Sequence, residues 1–374
     1  EYFASRGFAV VMQDCRGRYA SAGVFEKYVN EAEDGFDSLA WIVDQSWCNG
    51  RVGTMGFSYG AHTQCALAAL NPPGLACMFI DSGGFSNAYQ GGVRQGGAFE
   101  MKQATWAFRH ALKSRKTAAD PERKKALESQ DILAWMREFD WVPGHSPLSA
   151  APEYEEYFFD QWRHGVYDDY WQQPGLNAEC HYDSFRDVPV AIVGSWYDPY
   201  VRTCTSNFRG LQARNESPVH LIMVPWTHGD RSQTIAGDVD FGPAATLDGN
   251  IAENYFALRL DWFEAHLKNS CEERNCSDSP VRYFCMGGGQ GLHDKSGRLK
   301  HGGRWLAAST WPPESARSLA LYLHAAGRLS AEAPKSGDGA EAYEFDPMDP
   351  VPTIGGTITS GSPVMSGGAF DQVQ

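Results

Sequence analysis

Short apolar runs alternate along this chain with longer stretches of mixed polarity. The apolar runs are Phe8–Gln13, Val52–Phe57, Leu75–Ile80, Val188–Gly194 and His220–Val224. An apolar run without alternation is typical of a parallel strand that is buried on both faces of its sheet. The pattern therefore predicts at least five strands of one buried sheet.

Amphipathic helices are predicted between these strands. In residues 31–45 apolar side chains fall at Phe36, Leu39, Ala40 and Val43, the spacing of a helix with one apolar face. Further helices are predicted for residues 61–70, about 200–212 and 252–267. Alternation of strand and helix predicts the α/β class, with a parallel sheet and right-handed crossovers.

Two stretches break this alternation. Residues 98–180 are rich in helix formers, charge and aromatic side chains. They predict a helical cap over the carboxyl edge of the sheet, where ligands bind in open α/β folds. Residues 280–374 contain short strand-like pieces between Gly and Pro turns, which predict the start of an all-β domain. We therefore assign the core to 1–97 and 181–275, the cap to 98–180 and the β domain to 280–374.

The segment Gly56-Phe57-Ser58-Tyr59-Gly60 follows a predicted strand and precedes a predicted helix. Gly-x-Ser-x-Gly in this context indicates a nucleophile elbow, in which the serine occupies a sharp, strained turn. Gly56 and Gly60 are expected to be glycines because side chains there would collide with the neighbouring strand and helix. Ser58 is the candidate nucleophile, and the backbone N–H of Tyr59 is a candidate oxyanion donor.

An acidic residue and a histidine follow the next two strands. Asp198 lies 140 residues after Ser58, and His228 lies 30 residues after Asp198. Serine, acid and histidine in this order, each at the carboxyl end of a strand, are typical of α/β hydrolases. The competing acids are Asp183 and Asp230, and the competing bases are His62 and His220.

These residue types predict covalent catalysis. His228 would take the proton of Ser58, and Asp198 would hold the imidazole in the required tautomer. The prediction is a serine esterase or amidase that forms an acyl-enzyme. A second oxyanion donor is expected from a loop that precedes residue 1. An inactive hydrolase fold used as a binding module is the alternative from a different class.

The composition of the chain excludes several classes of binding partner. The 374 residues carry a formal net charge of −14 and no basic cluster, which argues against nucleic acid or an anionic membrane. No apolar run approaches the roughly 18 residues of a membrane helix. The nine cysteines show no metal-ligand spacing, so we expect neither metal nor cofactor, whereas Cys271 and Cys276 are candidates for a disulfide.

The predicted partner is a small ester, amide or short peptide, and a homo-oligomer is compatible with the sequence. The first residue is not Met, and both ends fall inside predicted elements. We therefore expect a longer parent chain, and the cellular compartment is left open.

Several motifs together resemble a known family, the cocaine-esterase and X-Pro dipeptidyl-peptidase family of serine hydrolases. The residues that carry the resemblance are Gln13–Arg18, Asp34, Asp37, Trp41, Gln45, Trp47, Gly50, Val52, Gly53, Gly56–Gly60, Gly194–Asp198 and Pro225–His228. The resemblance implies an α/β-hydrolase core, a helical cap and a C-terminal jelly-roll. It also implies Ser58, Asp198 and His228 as the catalytic triad, with an upstream tyrosine hydroxyl as the second oxyanion donor.

Members of this family cleave esters, Xaa-Pro peptides or the acyl-amide side chain of β-lactam precursors, so these substrate classes stay open. A dipeptidyl-peptidase needs an anionic pocket for the free amine of the peptide. Acidic residues of the cap could supply this pocket or could form solvated helix faces. They are Glu153, Glu155, Glu156, Asp168 and Asp169.

Overall fold

A computed structural model describes residues 1–138, 140–229, 232–268, 279–335 and 342–373. Its helices, numbered α1 to α9, are Glu31–Val43, Tyr59–Ala68, Lys102–Leu112, Arg115–Ala119, Pro121–Glu128, Ile132–Glu138, Pro152–Arg163, Val201–Gln212 and Tyr255–Leu267. Its strands, numbered β1 to β13, are Val52–Phe57, Leu75–Asp81, Arg94–Gln95, Ala98–Phe99, Val190–Tyr197, Val219–Thr227, Ile235–Ala236, Val239–Asp240, Val281–Met286, Leu299–Lys300, Gly303–Ala308, Tyr322–His324 and Arg328–Ser330. Among the described helices, none has the length and apolar character needed to cross a membrane.

A six-stranded sheet forms the centre of the molecule, in the order β1-β2-β5-β6-β9-β11. The first five strands are parallel, and β11 pairs antiparallel with β9. Parallel neighbours need crossover connections, which α2, the helices of residues 102–163, α8 and α9 provide in chain order. The α/β class predicted from the alternation of strands and helices is confirmed.

Strand β2 shows why the sequence of the sheet is apolar without alternation. Met78 and Ile80 belong to the core on the face that α2 and α8 cover. Cys77 and Phe79 belong to the core on the opposite face, where Phe263 of α9 packs. Because both faces are covered, every position of this strand must be compatible with burial.

Helices α3 to α7 occupy the stretch predicted as a cap and pack around a core of their own. Phe108, Leu127, Leu148 and Phe158 are among its buried residues. The short hairpin of β3 and β4 precedes these helices. The helical character of this stretch agrees with its content of helix formers.

The prediction of a buried strand at residues 8–13 is wrong. These residues are described, and they form no strand; the exposed fractions of Val10, Val11 and Met12 are 44%, 48% and 92%. In the described chain, β1 lies at one edge of the sheet, and its backbone pairs with that of β2. A cleft of about 910 Å³ is lined both by residues 8–13 and by β1. The apolar run has the composition of a strand, but within the described ranges no strand pairs with its backbone.

The prediction that Val281–Met286 opens a separate β domain is also wrong. This segment is β9, which pairs with β6 inside the central sheet, with Leu221 opposite Val281 and Met223 opposite Tyr283. Val281 and Phe284 are fully buried there. Cys271, Cys276 and the predicted core boundary at residue 275 lie outside the described residues.

Candidate active site

Ser58 lies at the sharp turn between β1 and α2. Its backbone angles are φ 57° and ψ −114°, a region that costs a non-glycine residue about 1–3 kcal/mol. Two sets of backbone hydrogen bonds stabilise this turn. The N–H of Ser58 donates to the carbonyl of Asp81 at 2.9 Å, and its own carbonyl accepts from Ala61 and His62.

The two glycines of the elbow have different roles. A Cβ added to Gly56 would lie 2.4 Å from the carbonyl oxygen of Gly60, so the strand and the helix can approach only if Gly56 lacks a side chain. A Cβ added to Gly60 would meet no atom of the described chain within 4 Å. The expectation that a side chain at Gly60 would collide is therefore wrong, because the contact is made by the backbone of Gly60.

The structure brings Ser58, His228 and Asp198 together. Nε2 of His228 lies 2.8 Å from Oγ of Ser58, and Nδ1 of His228 lies 2.7 Å from Oδ2 of Asp198. Asp198 is fully buried, and its second oxygen accepts a hydrogen bond from the N–H of Tyr200 at 2.9 Å. Both oxygens of this carboxylate therefore have partners, which fixes its orientation toward the imidazole.

Strand topology accounts for this convergence. Ser58 directly follows β1, Asp198 directly follows β5, and His228 directly follows β6. Because these strands are parallel, their carboxyl ends lie at the same edge of the sheet. Two aromatic rings then hold the imidazole of His228, with Phe57 at 4.4 Å and Tyr200 at 5.5 Å between ring centroids.

The competing histidines are engaged elsewhere. Nδ1 of His62 accepts from the N–H groups of Gly84 and Phe85, and its ring stacks on Phe85 at 3.7 Å. Burial holds the pKa of His62 well below its usual value, and nearby cationic side chains lower it further. His220 lies within β6, 5.8 Å from the ring of Trp262.

Of the competing acids, Asp183 has a largely exposed side chain and forms an ion pair with Arg214. Asp230 lies outside the described residues. In the described chain, no group of three or more His, Cys, Asp and Glu side chains is arranged to hold a metal ion.

A buried network behind the elbow was missed by sequence reasoning. The hydroxyl of Tyr59 donates a hydrogen bond to Glu31 and accepts one from the N–H of Tyr28 at 3.1 Å. Burial raises the pKa of Glu31 to about 6. Glu31 opens α1, where an acidic residue is expected from the helix dipole alone, so the sequence carried no signal of this contact.

Several acidic residues of the cap have partners inside the cap. Glu153 pairs with Arg123 at 2.6 Å, and the buried Glu155 accepts from the hydroxyl of Ser146 at 2.6 Å. Asp168 lies 2.7 Å from Nδ1 of His164. Glu156 and Asp169 are exposed. These contacts fit helix–helix attachment and solvated faces better than an amine-binding pocket.

The fold and the arrangement at the sheet edge define the class of the protein, an α/β hydrolase. Residues 1–230 match the family model of the X-Pro dipeptidyl-peptidase (S15) family. The chain belongs to this family of serine hydrolases, as its motifs indicated.

Similarity to individual relatives extends over nearly the whole chain. The chain is 26% identical over 370 residues to the cocaine esterase of Rhodococcus sp. (strain MB1 Bresler), covering 95% of this chain and 60% of that protein. It is also 26% identical over 388 residues to a putative serine esterase of Mycobacterium tuberculosis (strain CDC 1551), covering 92% of this chain and 55% of the relative. The chain thus spans less than two thirds of the length of these relatives.

Solved structures share the fold. An aminopeptidase from a marine sediment Thaumarchaeota archaeon superposes with a TM-score of 0.68 at 22% identity, covering 94% of this chain and 56% of that one. An α-amino acid ester hydrolase superposes with a TM-score of 0.67 at 20% identity, covering 97% of this chain and 58% of that one. At this level of identity the likeness concerns the fold alone.

Proposed function

We propose that this protein hydrolyses acyl esters or amides through an acyl-enzyme on Ser58, with His228 as general base and Asp198 as its orienting acid. The observation that carries the proposal is the continuous chain of contacts, 2.8 Å from Ser58 to His228 and 2.7 Å from His228 to Asp198. These are distances at which a proton can pass between the groups.

In the first half of the reaction, Oγ of Ser58 attacks the carbonyl carbon while Nε2 of His228 takes the hydroxyl proton. The N–H of Tyr59 stabilises the oxyanion of the tetrahedral intermediate. His228 then donates its proton to the leaving alcohol or amine, and the bond from carbonyl carbon to leaving group breaks. Asp198, buried beside Nδ1, stabilises the imidazolium.

In the second half, His228 removes a proton from water, and the resulting hydroxide attacks the acyl carbon. The intermediate collapses, Oγ of Ser58 leaves with the proton from His228, and the carboxylic acid departs. No step needs a cofactor. The family resemblance suggests that a tyrosine hydroxyl upstream of residue 1 supplies a second oxyanion donor.

We propose a small ester or amide as the substrate. Relatives named as a cocaine esterase and a putative serine esterase support esters. An Xaa-Pro dipeptidyl-peptidase or a β-lactam acylase-type amidase is the second candidate, which the family assignment favours. An inactive binding module fits poorly, because the contacts of Ser58, His228 and Asp198 are intact.

For the domain organisation, we propose a hydrolase core that includes β9 and β11, a cap over residues 98–180, and a jelly-roll that begins beyond the central sheet. The β12–β13 hairpin, in a Gly- and Pro-rich stretch, supports this start.

The test is labelling by a fluorophosphonate probe, followed by assays with p-nitrophenyl acyl esters and Xaa-Pro-anilides. Ser58→Ala should abolish labelling and lower kcat by about 10³–10⁶-fold, whereas Ser129→Ala, at an exposed serine of the cap, should change neither. Folded protein that stays unlabelled at Ser58 would overturn the proposal. Faster cleavage of the anilides would make the peptidase the better assignment.

A further inference from the structure

The first turn of α2 lacks the side-chain cap that usually fixes the start of a helix. Ser58 is the N-cap residue, but its side chain makes no capping hydrogen bond, since its Oγ contacts Nε2 of His228. A serine at this position usually accepts a hydrogen bond from one of the first backbone N–H groups of the helix. Other contacts must therefore fix the N–H of Tyr59, the candidate oxyanion donor.

The side chain of Tyr59 is held at its far end by two hydrogen bonds. Its hydroxyl donates to Oε1 of Glu31 and accepts from the backbone N–H of Tyr28 at 3.1 Å. A backbone N–H can only donate, so the single proton of the hydroxyl is free for the bond to Glu31. Both bonds therefore have a defined direction, which prevents the hydroxyl from turning away from Glu31.

Aromatic rings fix the plane of the same side chain. The ring of Tyr59 stacks with Tyr28 at 5.1 Å and with Trp106 at 6.1 Å between centroids, with interplanar angles of 21° and 15°. Phe25 and His62 contact it at 6.2 Å and 6.4 Å. Stacked rings can still slide in their own plane, and the two hydrogen bonds of the hydroxyl restrict this sliding. Together these contacts fix the position of the whole side chain.

The carboxylate of Glu31 is only half satisfied by this contact. Its residue is 8% exposed, and its second oxygen, Oε2, is buried without a hydrogen-bond partner in the part of the chain that the structure describes. Buried polar atoms nearly always have a partner, because an unmatched polar atom in the interior is destabilising. A buried carboxylate that leaves one oxygen unmatched therefore indicates a role beyond packing.

We propose that Glu31 is a positioning residue of the hydrolase, which holds the hydroxyl of Tyr59 and thereby keeps the backbone N–H of Tyr59 directed at the oxyanion. The inference rests on the proposed function, since it concerns the tetrahedral intermediates formed at Ser58. The backbone nitrogen of Tyr59 is bonded to the carbon that carries its side chain, so an anchored side chain limits rotation of this N–H. A misplacement of about 1 Å in an active site can cost about 10²-fold in rate.

Two substitutions separate the reach of Glu31 from its charge. Glu31→Gln keeps the length and an oxygen acceptor but removes the charge, whereas Glu31→Asp keeps the charge on a shorter side chain. Burial raises the pKa of Glu31 to about 6, so the carboxylate of the original protein is ionised at pH 8.

A positioning contact depends on reach. At pH 8, kcat for p-nitrophenyl acetate should fall by about 10–100-fold in Glu31→Asp and by less than about fivefold in Glu31→Gln. The reverse order would show that the charge acts and would overturn the proposal. The matched control is Glu33→Gln, at an exposed glutamate in the same turn of α1, which should behave like the original protein.

The kinetic signature distinguishes positioning from a general structural defect. An oxyanion forms in both halves of the reaction but not in the bound substrate, so kcat should fall in Glu31→Asp while KM changes by less than about twofold. The affinity for a trifluoromethyl ketone, whose adduct with Ser58 carries an oxyanion, should weaken by the same factor as kcat. A raised KM with unchanged affinity for the ketone would contradict the proposal.

A double-mutant cycle tests whether Glu31 acts through the hydroxyl of Tyr59. Tyr59→Phe removes this hydroxyl and should lower kcat about as much as Glu31→Asp. Combining the two substitutions should lower kcat no further, because each removes the same contact. Losses that multiply in the double variant would mean that Glu31 acts by another route, and the proposed role would be wrong.

Fluorophosphonate labelling keeps this proposal apart from the hydrolase proposal. If the original protein is labelled at Ser58 and cleaves the ester, but Glu31→Asp retains full kcat, the positioning role fails and the hydrolase proposal remains. If the original protein is neither labelled nor active, both proposals fail. Labelling at Ser58 with the expected loss of kcat in Glu31→Asp and its recovery in Glu31→Gln would support both.

Discussion

The two flanks of strand β1 show that an apolar sequence is not always buried. On one flank β1 pairs with β2, whose Met78 and Ile80 are buried, and the backbone of Ser58 joins the same ladder through Asp81. On the other flank lies the cleft lined by residues 8–13, with Met12 almost fully exposed. Both flanks have apolar sequences, but only the paired flank holds a strand in place.

The comparison shows what positions the candidate site. Ser58, Asp198 and His228 all follow strands that pair through the β2 side of the sheet. Stability and activity should therefore respond strongly to changes on this side and weakly to changes at residues 8–13. The predictions below test this difference, beginning with the largest expected effect.

The largest effect is expected from removing the charge of Asp198 without changing its shape. Asp198→Asn should lower kcat for ester hydrolysis by about 10⁴-fold, because the amide favours the wrong tautomer of His228. Steady-state kinetics with a p-nitrophenyl ester measures this, and the exposed Asp44→Asn serves as control. A kcat within tenfold of the original enzyme would exclude Asp198 as the orienting acid.

The packing of β2, on the paired flank of β1, can be weakened by a substitution at Ile80. This side chain is fully buried in the core on one face of β2. Ile80→Ala should lower the free energy of unfolding by about 2–5 kcal/mol, through lost burial and the cavity left behind. Urea denaturation measures the loss. A change below 1 kcal/mol would mean that the β2 side is not the stable side of β1.

The elbow glycines allow a matched pair of substitutions. Gly56→Ala should destabilise the protein by about 3 kcal/mol and lower activity, because its Cβ would meet the backbone of Gly60. Gly60→Ala has open space around the added carbon and should be tolerated. Thermal unfolding and ester hydrolysis of both variants test this. Equal effects at the two positions would contradict the geometry of the turn.

Glu31 lines the open cleft beside β1 and also accepts a hydrogen bond from the hydroxyl of Tyr59 on the paired side. A change in the protonation of Glu31 therefore affects both flanks of β1. Its pKa is raised from 4.5 to about 6, mainly by burial, so the folded protein binds this proton more tightly than the unfolded chain. Its contribution to the free energy of unfolding should therefore fall by about 2 kcal/mol between pH 4.5 and 6 and then stay constant.

Urea denaturation across this pH range compares the original protein with Glu31→Gln, which cannot titrate. The difference between the two should change by about 2 kcal/mol over this window. Parallel pH profiles for the two proteins would contradict the raised pKa.

The smallest effect is expected on the open flank. Met12→Ser should change the free energy of unfolding by less than about 0.5 kcal/mol, because this side chain is already in solvent. The same urea titration as for Ile80→Ala measures it. A loss comparable to that of Ile80→Ala would show that residues 8–13 pack as a strand in solution.

The sequence by itself determined the α/β class, the nucleophile elbow and the order of Ser58, Asp198 and His228. These features depend on local properties, namely the apolar content of each strand, the spacing in each helix, and the residues that directly follow a strand. Local backbone chemistry can be read from neighbours in the chain.

Only the tertiary structure decided which apolar segments join the sheet and which polar groups are buried. Residues 8–13 remain outside the sheet, whereas Val281–Met286, assigned elsewhere from its turns, pairs with β6. The contact of the buried Glu31 with Tyr59 was likewise decided there. Strand pairing and burial depend on residues far apart along the chain, so no local pattern contains them.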